Sequence, residues 1–464
     1  MMPNSMETGK RFFGEKLYER IVGYMKKDPE KNLDRIVDLV EKAPVAAHHK
    51  KYARMIRDHI QENPSTRKYI QRIISELDEN IHNHFFVNIL VNASLIGLPK
   101  QMSASKVLGC SVPYTILIDP TSKCNLKCTG CWAGAYDKHD SLSFDEVDRI
   151  VSEAKELGIY FIVMSGGEPT VWPYLSELCR KHSDVAFMIY TNGTLIDENT
   201  ARWMREVGNI SPAFSLEGGR DTTDRRRGKG VYDRIMNAMD NLSENGVAFG
   251  FSVTATTKNC EEILADEFID LMIEKGAIYG WSFHYIPIGS NADFSLMLRP
   301  DQRVAMAERV RYIRKNKPIL VADFWNDGEL THGCIAGGRR YFHINARGDV
   351  EPCAFVHFAA DNIKGKPLKE VLRNPLFKAY QEHQPFSDNM LRPCPLIDLP
   401  EMLRSMVDKT DVLPTHEGAD TILYGGPARQ IDEIAAAWKG KADSKWAQWQ
   451  EAKYEKETEK VLSS

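Results

Sequence analysis

The sequence predicts an α/β protein whose central part is a parallel sheet with crossover helices. Three observations carry that expectation. From about Val112 the chain alternates short apolar runs with amphipathic stretches: Tyr114–Ile118, Tyr160–Met164, Val185–Tyr190, Ala213–Leu216, Val247–Val253 and Tyr279–Ile286. The residues of unusual chemistry follow the ends of these runs, where such a sheet carries its site. Composition allows a real core: 43% of the 464 residues are hydrophobic and 27% are charged. A chain of that length divides into roughly two to three domains.

The first segment, residues 1–105, reads as a helical region. Apolar positions recur at helical spacing in Leu17, Tyr18, Ile21, Val22 and Met25, and again in Tyr69, Ile70, Ile73, Ile74 and Leu77. Asn63-Pro64-Ser65 breaks the pattern. The near-apolar stretch Phe85–Leu98 is interrupted by Asn88, Asn92 and Ser94 and is too short to span a bilayer. With His84, Asn88 and Asn92 at i, i+4 spacing it predicts a half-buried helix with one polar stripe. Peripheral contact with lipid is the sharper, less favoured reading.

Residues 106–300 hold the alternating runs. Helices are expected at Ser143–Glu156, opened by the capping-box spelling Ser143-Phe144-Asp145-Glu146, and at Tyr232–Glu244. Residues 301–400 are rich in Gly, Cys and Pro. Within them Tyr341–Ile344 and Val350–Pro352 flank a Gly-bearing turn and predict a hairpin. Residues 401–464 form a charged helical tail with Trp438, Trp446 and Trp449.

Charge and cysteine usage narrow the function. Lys plus Arg is 60 against 64 for Asp plus Glu, so nothing marks a nucleic-acid binder. No export-type apolar core opens the chain, and a cytoplasmic protein is expected. The nine cysteines are an odd number in a long chain, which excludes a small disulfide scaffold.

Three of them, Cys124, Cys128 and Cys131, stand in a C-x3-C-x2-C pattern just past the first run. Three thiolates in eight residues can hold one face of an iron–sulfur cube and leave one iron open. Structural zinc instead closes with four ligands. The triplet resembles the signature of the radical S-adenosylmethionine (radical SAM) superfamily. Ser165-Gly166-Gly167-Glu168-Pro169 after the second run is similar to that family's GGEP motif. Tyr190-Thr191-Asn192-Gly193-Thr194, Ser215-Leu216-Glu217-Gly218, Arg227-Gly228-Lys229-Gly230 and Tyr285-Ile286-Pro287-Ile288-Gly289 match later motifs in order. One departure is Gly130, where the family often has an aromatic residue before the third cysteine; Trp132 follows that cysteine instead.

The resemblance spans about Val112 to Gly289 and implies a (βα)6 partial TIM-like barrel, open on one side. It implies a [4Fe–4S] cluster on Cys124, Cys128 and Cys131, with S-adenosyl-L-methionine (SAM) on the open iron. It places Gly166, Gly167, Glu168, Asn192, Ser215, Glu217 and Ile286 around the cofactor, with Glu168 facing the methionine ammonium. One electron from a flavodoxin- or ferredoxin-type donor then yields a 5′-deoxyadenosyl radical that abstracts a substrate hydrogen.

Cys334, followed by Gly348-Asp349-Val350-Glu351-Pro352-Cys353, resembles the opening of the SPASM or twitch extensions of such barrels. The later cysteine array is missing, and Cys394 is the one further cysteine. We expect one auxiliary cluster on Cys334, Cys353 and Cys394, its fourth site open or filled by substrate, His332 or His357. A domain without a cluster is the alternative. Cys110, Cys179 and Cys260 have no partner spacing and read as structural, hydrogen-atom donation by Cys260 being the sharper reading. A peptide or protein is the leading substrate, with a lipid or small metabolite as alternative. A non-catalytic iron–sulfur sensor is disfavoured, because it needs no site like Gly166-Gly167-Glu168.

Overall fold

The computed structural model describes residues 5–42, 57, 60, 63–289 and 292–463. Six strands fall on the six apolar runs: β1 (Thr115–Ile118), β2 (Phe161–Met164), β3 (Ala186–Thr191), β4 (Ile210–Leu216), β5 (Gly250–Ala255) and β6 (Tyr279–His284). They pair in chain order, all parallel, in registers such as Ile116 with Ile162 and Val163 with Met188. Period-two alternation then assigns two faces. Ile116, Ile118, Ile162, Met164, Phe187, Ile189, Phe214 and Phe251 pack outward against the helical layer. Leu117, Val163, Met188, Tyr190, Trp281 and Phe283 point into the barrel.

The outer helices carry the punctuation that the sequence spells. Phe144–Glu156 begins with a complete capping box between Ser143 and Glu146. Glu198–Val207 is capped by Asp197 and ends on Gly208 at φ 72°, a left-handed conformation that glycine adopts without strain.

The sheet continues past the six runs. The helix Pro300–Asn316 leads into β7 (Leu320–Asp323), which pairs parallel with β6. At the other edge β8 (His343–Ile344) pairs parallel with β1, and β9 (Asp349–Glu351) returns antiparallel to β8. The predicted hairpin is therefore present, and it also extends the barrel sheet. β7 and the β1–β8 pairing are not readable from the sequence. Leu320–Asp323 is a single four-residue run, and a two-residue strand leaves no period. Three short strands complete the set: β10 (Phe358–Ala359), β11 (Asp361–Asn362) and β12 (Leu413–Pro414), with β11 beside β9 and β10 beside β12.

In the N-terminal region the helices Ser5–Met25, Pro29–Lys42 and Pro64–Glu76 precede a longer one, Glu79–Leu108. Among the described residues this is the one helix long and apolar enough to cross a membrane, and 56% of its apolar window is buried inside the fold. Its polar stripe faces the barrel: Asn88 Nδ2 donates to Ser183 O at 2.9 Å and Asn92 Nδ2 to Asp184 O at 3.2 Å. Leu90 and Leu95 face outward instead. The helix Gly425–Ser463 straps the other side. Trp438 is buried under Arg303, which also pairs with Asp398 at 2.8 Å, and Arg311 lies 3.7 Å from the Trp449 ring centroid.

A buried charge trio joins the barrel to the cysteine-bearing region. His343 of β8 is fully buried; its Nε2 lies 3.0 Å from Asp119, just past β1, and its Nδ1 2.6 Å from Glu351 of β9. Burial works against the imidazolium, but the two carboxylates outweigh it and raise the pKa to about 10. This pKa lies above the ordinary histidine value, so the stabilisation is complete below about pH 6.5 and fades as pH rises through about 10. His343→Gln should cost about 3 kcal/mol or more, since it leaves two buried carboxylates unpaired. Thermal unfolding of both proteins from pH 6 to 10 checks this: the gap should narrow with rising pH, and a constant gap would refute it.

Candidate active site

The three clustered cysteines lie on an irregular loop just past β1, at the C-terminal mouth of the barrel. Cys124 is exposed; Cys128 and Cys131 are half-buried. The loop has no regular ladder of its own, so its shape comes from clamps supplied by later strands.

The first clamp is the Gly-Gly-Glu segment after β2. Gly167 N donates to Thr121 O and Glu168 N to Lys123 O, both at 2.9 Å. A Cβ on Gly167 would sit 2.1 Å from Lys123 O, so only glycine permits this approach. The Glu168 side chain is buried and accepts from Thr170 N and Oγ1, Thr191 Oγ1 and Asn192 N at 2.7–3.1 Å. Burial raises its carboxyl pKa, against those four bonds. Asn192 passes the constraint on: its Nδ2 donates to Asn125 Oδ1 at 2.8 Å and reaches Cys124 Sγ at 3.9 Å.

The second clamp comes from β4. Glu217 is buried and ion-paired on both oxygens, to Arg227 and to Arg226, each at 2.6 Å. Arg226 Nε donates to Thr129 O at 3.1 Å, and Thr129 N donates to Arg226 O at 2.9 Å. Glu217 is thus committed to holding two arginines that hold the loop, and it does not line the cavity described below. Arg227 belongs to a motif read from the sequence, whereas its neighbour Arg226 carries no sequence signal and is identified only by its contacts.

The third contact fills the space left by Gly130. This residue sits at φ 66°, and a Cβ there would lie 3.0 Å from the Tyr285 ring, just past β6. An aromatic ring therefore covers this part of the loop, supplied from a different strand than the resemblance suggests. Gly289, farther along the same segment, packs against Cys131 O and Trp132 O.

The loop faces a cavity of about 610 Å³. Cys124, Cys128, Cys131, Gly166, Gly167, Glu168, Asn192, Ser215 and Ile286 all line it. Its inner wall is aromatic, with Trp281 and Phe283 stacked at 6.0 Å and Phe324 and Phe355 around them. His284 stands out on this wall. It is buried, stacks on Trp325 and receives Asn326 Nδ2 at 3.3 Å on Nε2, while its Nδ1 has no partner among the described residues. Burial holds its pKa well below the usual range, so it is neutral. It ends β6 inside the apolar run Tyr279–Ile286, where no spacing sets it apart.

Cys334, Cys353 and Cys394 do not line this cavity, but Cys334 and Cys353 stand behind its wall: their chain neighbours Ile335, Ala354 and Phe355 line it, as does Tyr341. Tyr341 Oη donates to Cys353 Sγ at 2.7 Å. Cys353 is buried in one hydrophobic cluster, and Cys334 and Cys394 pack against it. The two histidines named beside them point elsewhere. His332 is exposed, and His357 bonds His416 Nε2 and Ala354 O. Of the remaining cysteines, Cys179 and Cys260 are buried in the outer core and absent from the cavity wall, and Cys110 packs partly buried against the same core.

Among the described residues no three His, Cys, Asp or Glu side chains are arranged to hold a single metal ion. A cluster makes a different demand, because its corners lie farther apart than the ligands of one ion. The glycine cradle at Gly166-Gly167 and the thiols facing an open cavity meet that demand.

Comparisons with known proteins agree. The radical SAM superfamily model matches residues 118–266, and the SPASM model, an iron–sulfur cluster-binding domain, matches residues 334–395. The chain is 32% identical over 225 residues to an Fe-coproporphyrin III synthase of Methanosarcina barkeri, 46% of this chain and 56% of that protein. It therefore spans little more than half of that relative's length. It is 30% identical over 299 residues to the mycofactocin maturase MftC of Mycobacterium tuberculosis, 60% of this chain and 74% of that protein. In fold it is similar to SuiB of Streptococcus suis bound to the precursor peptide SuiA, at TM-score 0.54 and 21% identity, covering 64% of this chain and 74% of that one.

The Glu217 clamp is testable. Glu217→Gln leaves two arginines without a counter-charge and should cost about 3–5 kcal/mol. Thermal unfolding and the rate of iron loss to a chelator should both worsen, and an unchanged rate of iron loss would show that the clamp does not hold the loop.

Proposed function

The chain belongs to the radical SAM superfamily, with a SPASM iron–sulfur domain behind its barrel, and we propose that it abstracts hydrogen from a peptide side chain. The observation that carries this is the cluster loop facing an aromatic-walled cavity at the C-terminal mouth of the barrel. Bound there, the [4Fe–4S] cluster and SAM would supply a 5′-deoxyadenosyl radical.

The chain's own residues do the rest. Cys124, Cys128 and Cys131 would hold the cluster. Gly166, Gly167, Glu168 and Asn192 would set the methionyl end of SAM, and Ile286 and Tyr285 would cover its adenine. Ser215 lines the same cavity and offers a hydroxyl to the ribose. Trp281, Phe283, Phe324 and Phe355 exclude water and seat an apolar or aromatic side chain. His284 offers a neutral donor from that wall to a peptide carbonyl. Lys123 and Lys127 flank the exposed Cys124 and favour an acidic electron donor of flavodoxin or ferredoxin type. All nine cysteines are free, which suits the reducing cytoplasm.

The aromatic wall also suits a planar tetrapyrrole, and a relative named as a porphyrin synthase supports this second reading. Titration with a coproporphyrin separates the two: a saturable absorption shift favours it, and none favours the peptide. For the reaction itself, reduced wild-type protein should release 5′-deoxyadenosine from SAM and Cys124→Ala should release none. Release by that variant would refute the assignment. Anaerobic reconstitution should give about eight irons per chain, falling to about four in Cys353→Ala. About four in the wild type would show that the second site holds no cluster.

A further inference from the structure

Three thiols leave a four-iron cluster one ligand short. Cys334, Cys353 and Cys394 are the cysteines of the SPASM region, and the nearby histidines are exposed or otherwise bonded. The helix Pro375–His383 runs beneath the Cys334 loop. It is fixed there by side chains one turn apart: Gln381 Nε2 donates to Gly337 O at 2.9 Å, and Gln384 Nε2 to Cys334 O at 3.2 Å and Ala336 O at 3.1 Å. A Cβ on Gly337 would lie 2.3 Å from Tyr380 Cβ, so the loop rides directly on Tyr380.

Tyr380 is fully buried, with no exposed surface. A buried phenol nearly always finds a partner for its O–H. This one has none among the described residues, although it is buried in one cluster with Cys353, against which Cys334 and Cys394 pack. A buried, unpartnered donor packed in the same cluster as three thiols, with a hydrogen bond to none of them, is the arrangement expected when a group sits between them.

We propose that Tyr380 Oη is the fourth ligand of the auxiliary cluster, binding the iron that the three cysteines leave open. As the cluster assembles during reconstitution the Fe–O bond forms, the phenol O–H breaks and its proton passes to the buffer, and the iron changes no oxidation state. Tyr341, already donating to Cys353 Sγ, remains a hydrogen-bonding neighbour rather than a ligand. This rests on the reading that the SPASM region holds a cluster, and the test separates the two.

Full-length protein with Cys124, Cys128 and Cys131 all changed to Ala would carry the auxiliary cluster alone. It is produced with ring-deuterated tyrosine, reconstituted anaerobically, reduced, and studied by iron analysis and pulsed EPR. We expect about four irons and a deuterium coupling that survives Tyr341→Phe and vanishes in Tyr380→Phe. Mild oxidation of Tyr380→Phe should give a three-iron signal that the parent lacks. Tyr380→Phe removes an oxygen with no hydrogen bond, so its melting temperature before reconstitution should match the parent's. A four-iron cluster with an unchanged EPR spectrum in Tyr380→Phe would overturn the ligand assignment while keeping the cluster. So would a parent that already yields the three-iron signal, or lacks the coupling. No auxiliary iron in the parent would instead overturn the cluster reading itself.

Discussion

The buried imidazolium of His343 between Asp119 and Glu351 is the interaction on which the layout depends. Asp119 lies just past the first barrel strand, immediately before the cluster loop, while His343 and Glu351 belong to the hairpin of the SPASM region. Three charges in the interior are tolerable only when each faces an opposite one. Tyr136, from just beyond the cluster loop, adds a hydrogen bond to Glu351 at 2.9 Å. Trp132 lies edge-on to the His343 ring at 5.7 Å, so the residue after the third cysteine also packs on the trio. The barrel edge, the cluster loop and the second cysteine region are thereby fixed in one register, and the cavity takes its shape from that agreement.

A second constraint is the division of labour between carboxylates. Glu168 and Glu217 are both buried at strand ends on the cavity side, yet they do different things. Glu168 is stabilised by hydrogen bonds from uncharged donors and lines the cavity. Glu217 is neutralised by two arginines and does not line it. Spacing alone could not tell them apart, because both follow a strand and both sit beside glycine.

Much of the barrel was legible because its signals are local and redundant. Six apolar runs, a capping box and glycines at strand ends each state the same fold, and all six strands fall on the runs. The cofactor loop was legible for a different reason: three thiols in eight residues have few other uses. What stayed hidden depends on distant partners. The pairing of His343–Ile344 with β1 joins positions more than two hundred residues apart through two residues. The inward-facing Asn88 and Asn92 look like the wet side of a helix until the carbonyls of Ser183 and Asp184 are placed opposite them. His284 and Tyr380 carry no motif, and only their surroundings distinguish them from core residues.

The two cysteine sites share a wall, and this limits how either can vary. Cys334 is followed by Ile335 and Cys353 by Ala354 and Phe355; in each case the cysteine is set behind the wall and the neighbour faces the cavity. Tyr341 does both at once, lining the cavity and donating to Cys353 Sγ. A larger residue at Ala354 would reshape the substrate space and push on the adjoining thiol together, because close-packed interiors transmit strain rather than absorb it. A redox centre in that position would also be shielded from water by the same aromatic rings that line the cavity. The cavity's shape and the environment of the second cysteine site are therefore properties of one surface seen from its two sides.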